Sequence, residues 1–404
     1  MIVIADDITG AAEMAGIAHQ HGLSVRLSIA GSLCCDRGAA KGTDVLVIAT
    51  DTRSMTEEEA VHETLRITSQ LSTLNSHLSP LNSQLSTLNS QLFKKTDSAL
   101  RGHVVAELSA LMQATGYQRA IYLPANPSKG RVIRNGCYYI KEVRGEKSEV
   151  REVPIHETAF SYDPEFPAKT SVLKERFPDA EEHHILMPDA ETVTDIQHIV
   201  AANDDNHTLF AGAADLFETY IEVRGERLEA RDLSESKNYP LNSQLSTLNS
   251  QLSTLNSKST LFLCGSTQSK PLDLGFPVTP MPIAIYDGSE DITPWLEEAE
   301  KLYEQQGSLM ITIPHRHRTG KEVAIHLREM TAELIQHLVA KRAPQQLIIE
   351  GGASAFATLQ HLGWNELEMV CQIAPGVIKT KAPNGTFVIM KPGSYPWGHL
   401  TSYL

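Results

Sequence analysis

The sequence is poor in several features that mark particular classes of protein. It has five cysteines in 404 residues, none with CxxC spacing, and this odd count fits reduced thiols better than a disulfide framework. It has no run of about 18 apolar residues and begins in a short apolar strand without a basic leader, so we expect a cytoplasmic protein with no membrane partner. Basic residues are outnumbered, 35 against 49, and the formal net charge of −14 argues against nucleic acid as a partner.

Two nucleotide-binding fingerprints are also missing. Neither GxGxxG nor GxxxxGK[ST] occurs in the chain. The absence of GxGxxG after the first strand counts against one alternative function, a nicotinamide-dependent oxidoreductase on a doubly wound sheet.

Apolar segments alternate with helical patterns along both halves of the chain. We predict strands at 2–5, 25–29, 45–49 and 120–123 with helices at 10–20 and 104–115, and then strands at 261–264, 308–313, 346–350 and 387–390 with helices at 294–306, 321–341 and 353–362. This rhythm and the chain length predict an α/β fold of two domains, each a mostly parallel sheet flanked by helices, with a ligand cleft between them. We place the domains at 1–235 and 259–404, with a linker at 236–258.

A leucine-containing repeat occurs twice, at about 70–92 and 241–257. Its leucines recur in steps of three and four, as in a coiled coil, but the residues between them are uncharged, polar and poor helix formers. We interpret both copies as expansions at tolerant surface positions, the first extending a helix that starts near Thr56 and the second lying in the linker. An assembly role for the leucine heptads is an alternative.

Cations and a carboxylate are concentrated after a short apolar strand near residue 95. Lys95 and Arg101 can neutralise a carboxylate or phosphate, and Asp97 supplies an acceptor beside them. The segment 124–131 adds turn residues and further cations. A solvated polar loop is the alternative for any one of these residues, but their combination predicts an anion pocket.

Two earlier strand ends carry chemistry of the same kind. Asp6 and Asp7 follow the first strand, where Thr9 is a candidate helix cap, and Arg53 follows the third. One of the aspartates could serve only as a cap. Because parallel strands present their carboxyl ends at one edge, we expect these groups to meet the segment 95–101 and to bind a small hydroxylated carboxylic acid.

The second half contains three glycine turns at strand ends, in segments 264–267, 350–354 and 391–394. Such turns allow backbone N–H groups and a helix dipole to approach a phosphate, although a glycine pair also serves close packing. Lys391 could bind a phosphate or be a solvated lysine. Together the three turns favour a nucleotide cleft.

In chain order these motifs resemble those of the four-carbon acid sugar kinase family. Its members share ADDxTG, KxDSxLRG, PAxPxxGR, a strand followed by GS, a glycine pair before a helix, and a terminal KxG. The matching segments here are 5–10, 95–102, 124–131, 265–266, 351–352 and 391–393, which span nearly the whole chain.

The resemblance implies an acid-sugar-binding domain followed by an ATP-binding domain, with transfer of the γ-phosphoryl group to the terminal hydroxyl of threonate, erythronate or 3-oxo-tetronate. The acid sugar and ATP are the implied partners, and a homodimer is one assembly that the sequence leaves open. The substrate-binding candidates are Asp6, Asp7, Arg53, Lys95, Asp97, Ser98, Arg101, Asn126 and Arg131. The nucleotide-binding candidates are Gly265, Ser266, Gly351, Gly352, Ala353, Ser354, Lys391 and Gly393.

Phosphoryl transfer requires charge neutralisation, for which we expect Mg2+, and a carboxylate that accepts the alcohol proton. Asp97 and Asp7 are the two candidates for that base, and the ligands of Mg2+ remain unassigned. The chain departs from the family in having Ala353-Ser354 where an acidic residue and threonine are usual, and in its closing KPGSYPWG. Because Ala353 lacks the usual carboxylate, contacts to a metal or to the ribose can differ from those of the family. A non-catalytic acid-sugar sensor is therefore an alternative function.

Overall fold

We describe the protein from a computed structural model. The structure describes residues 1–29, 43–78, 92–144, 149–163, 165–232, 259–265, 272–314, 320–393 and 395–403. The predicted linker and the second repeat lie outside these ranges, whereas residues 70–78 of the first repeat continue a helix, as predicted. Within the described ranges, no helix combines the length and the apolar character needed to cross a membrane.

The N-terminal half is built mainly on parallel strands: β1 (Ile2–Ala5), β2 (Val25–Ile29), β3 (Val45–Ala49), β4 (Leu92–Lys95), β5 (Arg119–Leu123), β6 (Arg131–Arg134), β7 (Cys137–Arg144), β8 (Glu149–Pro154), β9 (Ile185–Leu186) and β10 (Thr208–Gly212). Seven of them form one parallel array, in the order β2-β3-β1-β4-β10-β5-β9, and β6, β7 and β8 form a separate antiparallel sheet. The strands predicted at 2–5, 25–29 and 45–49 are confirmed residue for residue. Their nearly continuous apolar sequences fit a sheet that is covered on both faces.

Helices that flank these strands are α1 (Ile8–Gln20), α2 (Glu57–Leu78), α3 (Val104–Thr115), α4 (Leu173–Arg176), α5 (Val193–Asn203) and α6 (Ala214–Asp232). The helix predicted at 104–115 has these bounds, and it ends at Gly116, whose φ of 80° is the left-handed conformation typical of a helix end. Helix α1 starts two residues earlier than predicted, which places Asp7 at its N-cap.

The C-terminal half contains β11 (Thr260–Cys264), β12 (Val278–Pro280), β13 (Ser308–Thr312), β14 (Gln346–Glu350), β15 (Glu366–Ala374), β16 (Val377–Lys381) and β17 (Phe387–Lys391). Its helices are α7 (Ile283–Tyr286), α8 (Thr293–Gln306), α9 (Lys321–Lys341) and α10 (Gly352–His361). Strands β12, β13, β11, β14 and β17 are parallel neighbours in that order. The α/β architecture predicted for each half is therefore confirmed.

One connection between the halves was not predicted. Strand β15 pairs antiparallel with β2, and Arg26 and Glu366 form an ion pair of 2.8 Å at this seam. In the described part of the chain the strands of both halves consequently form one sheet of 14 strands. One cluster of buried apolar side chains likewise spans both halves.

The seam reverses the sense of the strands, because three antiparallel pairings, β2 with β15, β15 with β16 and β16 with β17, separate the two parallel arrays. The N-terminal turn of α1, which follows β1, nevertheless lies against that of α10, which follows β14.

Candidate functional site

Three strand ends meet in the N-terminal half, as the sequence predicted. Strands β3, β1 and β4 are adjacent and parallel, so Arg53, the Asp6-Asp7 pair and the segment 95–101 come together. Lys95 and Asp97 are buried, which rules out a solvated polar loop for these two residues.

Arg53 is the centre of this group. Its Nη1 lies 3.1 Å from Asp97 Oδ1, its Nη2 contacts Asp7 Oδ2, and its Nε is 3.9 Å from Asp6 Oδ2. Burial alone would lower the pKa of Arg53, but the surrounding carboxylates, Asp7 first, raise it above its usual value. The guanidinium is therefore permanently charged and holds three acidic side chains.

Asp97 is also held by a second arginine. Arg101 donates from Nε to Oδ2 at 2.8 Å and from Nη2 to Oδ1 at 3.0 Å, and the Ala99 amide donates to Oδ2 at 3.0 Å. Burial raises the pKa of Asp97, but Arg53 and Arg101 outweigh it and hold the pKa well below the usual range. Asp97 is consequently an ionised carboxylate whose two oxygens accept hydrogen bonds within the protein.

Asp7 caps helix α1. Its Oδ1 accepts a hydrogen bond of 2.8 Å from the Gly10 amide, and the Thr9 hydroxyl donates to Oδ2. The prediction that Thr9 is the cap was wrong, since the helix starts at Ile8 and Thr9 lies in its first turn. Burial raises the pKa of Asp7, but Arg53 and Lys95 outweigh it and lower the pKa overall.

Asp6 differs from both other aspartates. It is 2% exposed, and its Oδ1 makes no hydrogen bond to any residue that the structure describes. Burial raises its pKa to about 6, with Arg53 opposing the shift. Of the three strand-end aspartates, Asp6 has the carboxylate oxygen that protein donors leave free.

A chain of ionic contacts links the pocket to the C-terminal tail. Lys95 Nζ lies 3.7 Å from Glu13 Oε2, and Lys129 Nζ contacts Glu13 Oε1. Lys129 also donates to the Tyr395 hydroxyl at 3.2 Å and lies 5.1 Å from the centre of that ring. Two lysines thus share one carboxylate, and one of them touches both halves of the protein.

Arg131 reaches the same pocket from the opposite side, where it contacts Ser98 Oγ. Its guanidinium lies 5.6 Å from the centre of the Phe160 ring, and that of Arg101 lies 5.9 Å from the same ring. Asn126 has a different environment: it is buried, and its Oδ1 accepts from the Asp215 amide at 3.2 Å. The structure therefore brings Ser98, Arg101 and Arg131 together, whereas Asn126 holds the turn.

The glycine turns of the C-terminal half also converge, because β11, β14 and β17 are adjacent. The Gly265 amide donates to Glu350 O and the Gly351 amide donates to Lys391 O, both at 2.9 Å. A Cβ at Gly265 would contact the Ser354 side chain and lie 2.8 Å from Glu350 O, so only glycine fits there. Helix α10 then begins with Gly352, Ala353 and Ser354, while Ser266 lies outside the described residues.

Lys391 is not a solvated lysine, contrary to one of the two sequence interpretations. Its side chain is 1% exposed, and Nζ lies 2.6 Å from Glu350 Oε1. It also donates to three carbonyl groups of the closing segment, those of Pro392, Gly393 and Tyr395, at 3.0, 3.1 and 2.7 Å. The ion pair with Glu350 explains how the Lys391 ammonium can be buried, and its hydrogen bonds hold the turn that contains Gly393.

The two sets of turns touch directly. A Cβ at Gly352 would lie 2.5 Å from Thr9 Cγ2, so the first turns of α10 and α1 are in contact. A narrow crevice at this junction is lined by α1 on one side and by residues of the C-terminal half, including Gly352 and Lys391, on the other. A second contact lies nearby, where Arg328 Nη1 is 3.7 Å from Asp51 Oδ2.

We expect Gly352→Ala to weaken the binding of both an acid and a nucleotide. The added methyl group would push against Thr9, whose hydroxyl contacts Asp7, and overpacking of this kind costs about 1–3 kcal/mol. Calorimetric titration of each ligand measures the effect. Gly225→Ala is the matched control, because its Cβ would meet no atom within 4 Å and the change should stabilise α6 by about 0.5–1 kcal/mol. Unchanged acid affinity in Gly352→Ala would contradict the prediction.

Several residues of the site were not found from the sequence. Glu13 had a usable signal, because it follows Thr9 by four residues and therefore lies on the same helix face. Asp51 had the same signal as Arg53, because it lies at the carboxyl end of β3. Phe160, Tyr395 and Arg328 had none, since the folding of distant segments brings them to the site. Asp51 adopts a left-handed φ of 56°, and burial raises its pKa to about 6, with Arg328 opposing the shift.

Two protein-family models match the chain. One, described as a sugar-binding N-terminal domain, covers residues 1–180, and the other, described as a nucleotide-binding C-terminal domain, covers residues 280–395. The solved structure of Haemophilus influenzae protein HI1011 aligns with a TM-score of 0.64 at 19% identity, covering 100% of this chain and 98% of that chain. This likeness shows a common fold.

Curated relatives match part of the chain. A D-threonate kinase of Salmonella typhimurium is 31% identical over 175 residues, which are 43% of this chain and 35% of that protein. A 3-oxo-tetronate kinase of Brucella melitensis is 29% identical over 153 residues, which are 38% of this chain and 32% of that protein. The matches therefore span 35% and 32% of the length of these two relatives.

Together these findings define the class of protein: an α/β protein in which a sugar-binding unit precedes a nucleotide-binding unit. The chain belongs to the four-carbon acid sugar kinase family, as its motifs indicated.

Proposed function

We propose that this protein is an ATP-dependent kinase that phosphorylates the terminal hydroxyl of a four-carbon acid sugar such as threonate, erythronate or 3-oxo-tetronate. The observation that carries the proposal is the direct contact between Gly352 and Thr9. It places the glycine turns of the nucleotide-binding unit beside the charged pocket of the sugar-binding unit. Matches to relatives named D-threonate kinase and 3-oxo-tetronate kinase support it.

The charges of the pocket favour an acidic substrate. Arg53 and Arg101 are already engaged by the three strand-end aspartates, and Lys95 and Lys129 share Glu13. Arg131 has no carboxylate partner among the ion pairs of the described residues. Its planar fork, steadied on Phe160, is therefore suited to the carboxylate of the substrate, and the two lysines supply further positive charge.

Phosphate groups suit the opposite side of the junction. The first amides of α10 follow Gly351, whose φ of 105° requires glycine, and a helix N-terminus of this kind favours an anion. Mg2+ would neutralise charge on the phosphates, which supply most of its ligands in such sites. Glu350 lies directly before the glycine turn, but its buried carboxylate is paired with the Lys391 ammonium at 2.6 Å.

An ADP-release assay tests the proposal. The protein with ATP and Mg2+ is offered D- and L-threonate, D- and L-erythronate and their 3-oxo forms, and we expect turnover with at least one of them. Asp97→Asn is the site control, and it should lose turnover because Arg53 and Arg101 would lose their common partner. If none of these acids is turned over but calorimetry still detects binding of one of them, the result would favour a non-catalytic acid-sugar sensor, the alternative that Ala353 leaves open.

A further inference from the structure

Three aspartates surround Arg53, and two of them are fully engaged. Both oxygens of Asp97 accept hydrogen bonds from arginine side chains, and both oxygens of Asp7 are held, one by the Gly10 amide and one by the Thr9 hydroxyl. A carboxylate in this condition is a weak base, because its donors stabilise the ionised form. Neither of the two bases that the sequence suggested is thus well prepared to take a proton.

Asp6 is prepared differently. Its Oδ1 is buried and makes no hydrogen bond to a described residue, while its Oδ2 lies 3.9 Å from Arg53 Nε, too far for a hydrogen bond. A buried carboxylate oxygen without a donor is costly, and in native proteins such a group commonly marks a functional site. Arg53 thus lies beside Asp6 without donating a hydrogen bond to it.

The loop of the substrate-binding candidates passes directly beside Asp6. The loop that carries Arg101 continues to Gly102, whose φ is 98°, and a Cβ there would lie 3.4 Å from Asp6 Oδ2. The positive φ, rather than a lack of space, is what favours glycine at this point of the loop. The next residue, Asp7, leads directly into α1, whose first turn touches Gly352 and hence the nucleotide-binding turn.

We propose that Asp6, rather than Asp7 or Asp97, accepts the proton of the substrate hydroxyl. This inference rests on the proposed function and deepens it. In the step, the terminal hydroxyl oxygen forms a bond to the γ-phosphorus, and the bond from that phosphorus to the β,γ-bridging oxygen breaks. The electron pair of the broken bond leaves with ADP, and the hydroxyl proton passes to Asp6 Oδ1.

The pH dependence follows from the charges around Asp6. Burial raises its pKa to about 6, and the charged groups that act on it are Arg53, Asp7, Lys95 and Lys94. Below this pH the carboxyl is protonated and cannot accept a second proton. We therefore expect kcat/KM to rise as the pH increases through about 6 and to level off above it, provided that ATP and the acid keep their own charges.

The test compares pH profiles of the wild type and Asp6→Asn on the acid that the panel identifies. We expect kcat of Asp6→Asn to fall by roughly 10²- to 10⁴-fold, whereas KM should change little and calorimetry should still detect binding of the acid. The rise of kcat/KM through about pH 6, which is the acid limb of the profile, should disappear. Asp6→Glu keeps a carboxylate and should retain the limb with reduced kcat. The control for loss of a buried, arginine-paired aspartate is Asp204→Asn, whose partner Arg224 lies 2.5 Å away and outside the pocket.

The outcomes separate the role of Asp6 from the kinase function. A rise in KM with kcat preserved in Asp6→Asn would show that Asp6 only binds a hydroxyl, and a wild-type profile without a limb near pH 6 would also overturn its assignment as the base. Either result leaves the kinase proposal intact, because the wild type turns over. A wild type that is silent on every acid overturns the kinase function and the role of Asp6 with it.

Discussion

An Arg53→Ala variant is expected to lose phosphoryl transfer and to unfold at a markedly lower denaturant concentration than the wild type. The buried guanidinium faces Asp6, Asp7 and Asp97, so its removal leaves excess negative charge in a site with little access to water. Breaking a buried ion pair by removing one partner costs about 3–5 kcal/mol. Guanidinium chloride unfolding at pH 8 measures this loss.

The loss of stability in Arg53→Ala should shrink as the pH falls. Without the guanidinium, the folded-state pKa of Asp6 rises further and that of Asp7 loses the main cause of its lowering, so the folded variant takes up protons at a higher pH than its unfolded chain. A group with a raised folded pKa favours the folded state when it is protonated, and this contribution is lost as the pH rises through that pKa. The difference from the wild type should therefore be smaller at pH 5 than at pH 8.

Two further variants serve as controls for this experiment. Arg53→Lys restores a positive charge without the fork, so it should recover part of the stability and little of the activity. Arg134→Ala removes an arginine that also pairs with two acidic residues, Glu152 and Glu191, but is 40% exposed. Exposed ion pairs contribute little to stability, so Arg134→Ala should unfold at nearly the same denaturant concentration as the wild type. An Arg53→Ala variant as stable as Arg134→Ala would show that Arg53 is not the centre of the site.

Most of this arrangement could be predicted from the sequence because it depends on strand ends. Apolar runs located β1, β3 and β14, and the rule that parallel strands share an edge then placed Arg53 with the aspartates. The pairing of β15 with β2 could not be predicted, since nothing local in either strand specifies a partner more than 300 residues away in the chain.

The roles of neighbouring aspartates were also beyond sequence reasoning. Asp6 and Asp7 are adjacent residues of the same type, and only the start of α1 makes Asp7 the cap and leaves Asp6 Oδ1 without a donor. Phe160 and Tyr395 entered the site through packing of distant segments. Composition and spacing thus indicated the chemical class of the candidate site, whereas the folded structure was needed to show which carboxylate oxygen has no hydrogen-bond donor.

A Lys391→Ala variant is expected to lose nucleotide affinity while it keeps its affinity for the acid. The Lys391 ammonium holds the carbonyl groups of Pro392, Gly393 and Tyr395 and pairs with Glu350, all on the nucleotide side of the junction. A hydrogen bond from a charged group contributes about 1.5–3 kcal/mol, so release of the closing segment should reduce nucleotide affinity by roughly 10- to 100-fold. Calorimetric titration with ADP and with the acid separates the two sites.

Lys391→Ala also removes the ammonium partner of buried Glu350, so its stability must be measured beside its affinity. The double variant Lys391→Met with Glu350→Met replaces the pair by apolar side chains, a change that is often neutral for stability. It should regain most of the stability but not the nucleotide affinity, because the three carbonyl groups still lack their donor. Lys381→Ala, an exposed lysine at the end of β16, is the control and should leave both properties unchanged. If the double variant bound ADP as tightly as the wild type, Lys391 would serve only to neutralise Glu350, and the organisation of the nucleotide turn would have to come from its glycines alone.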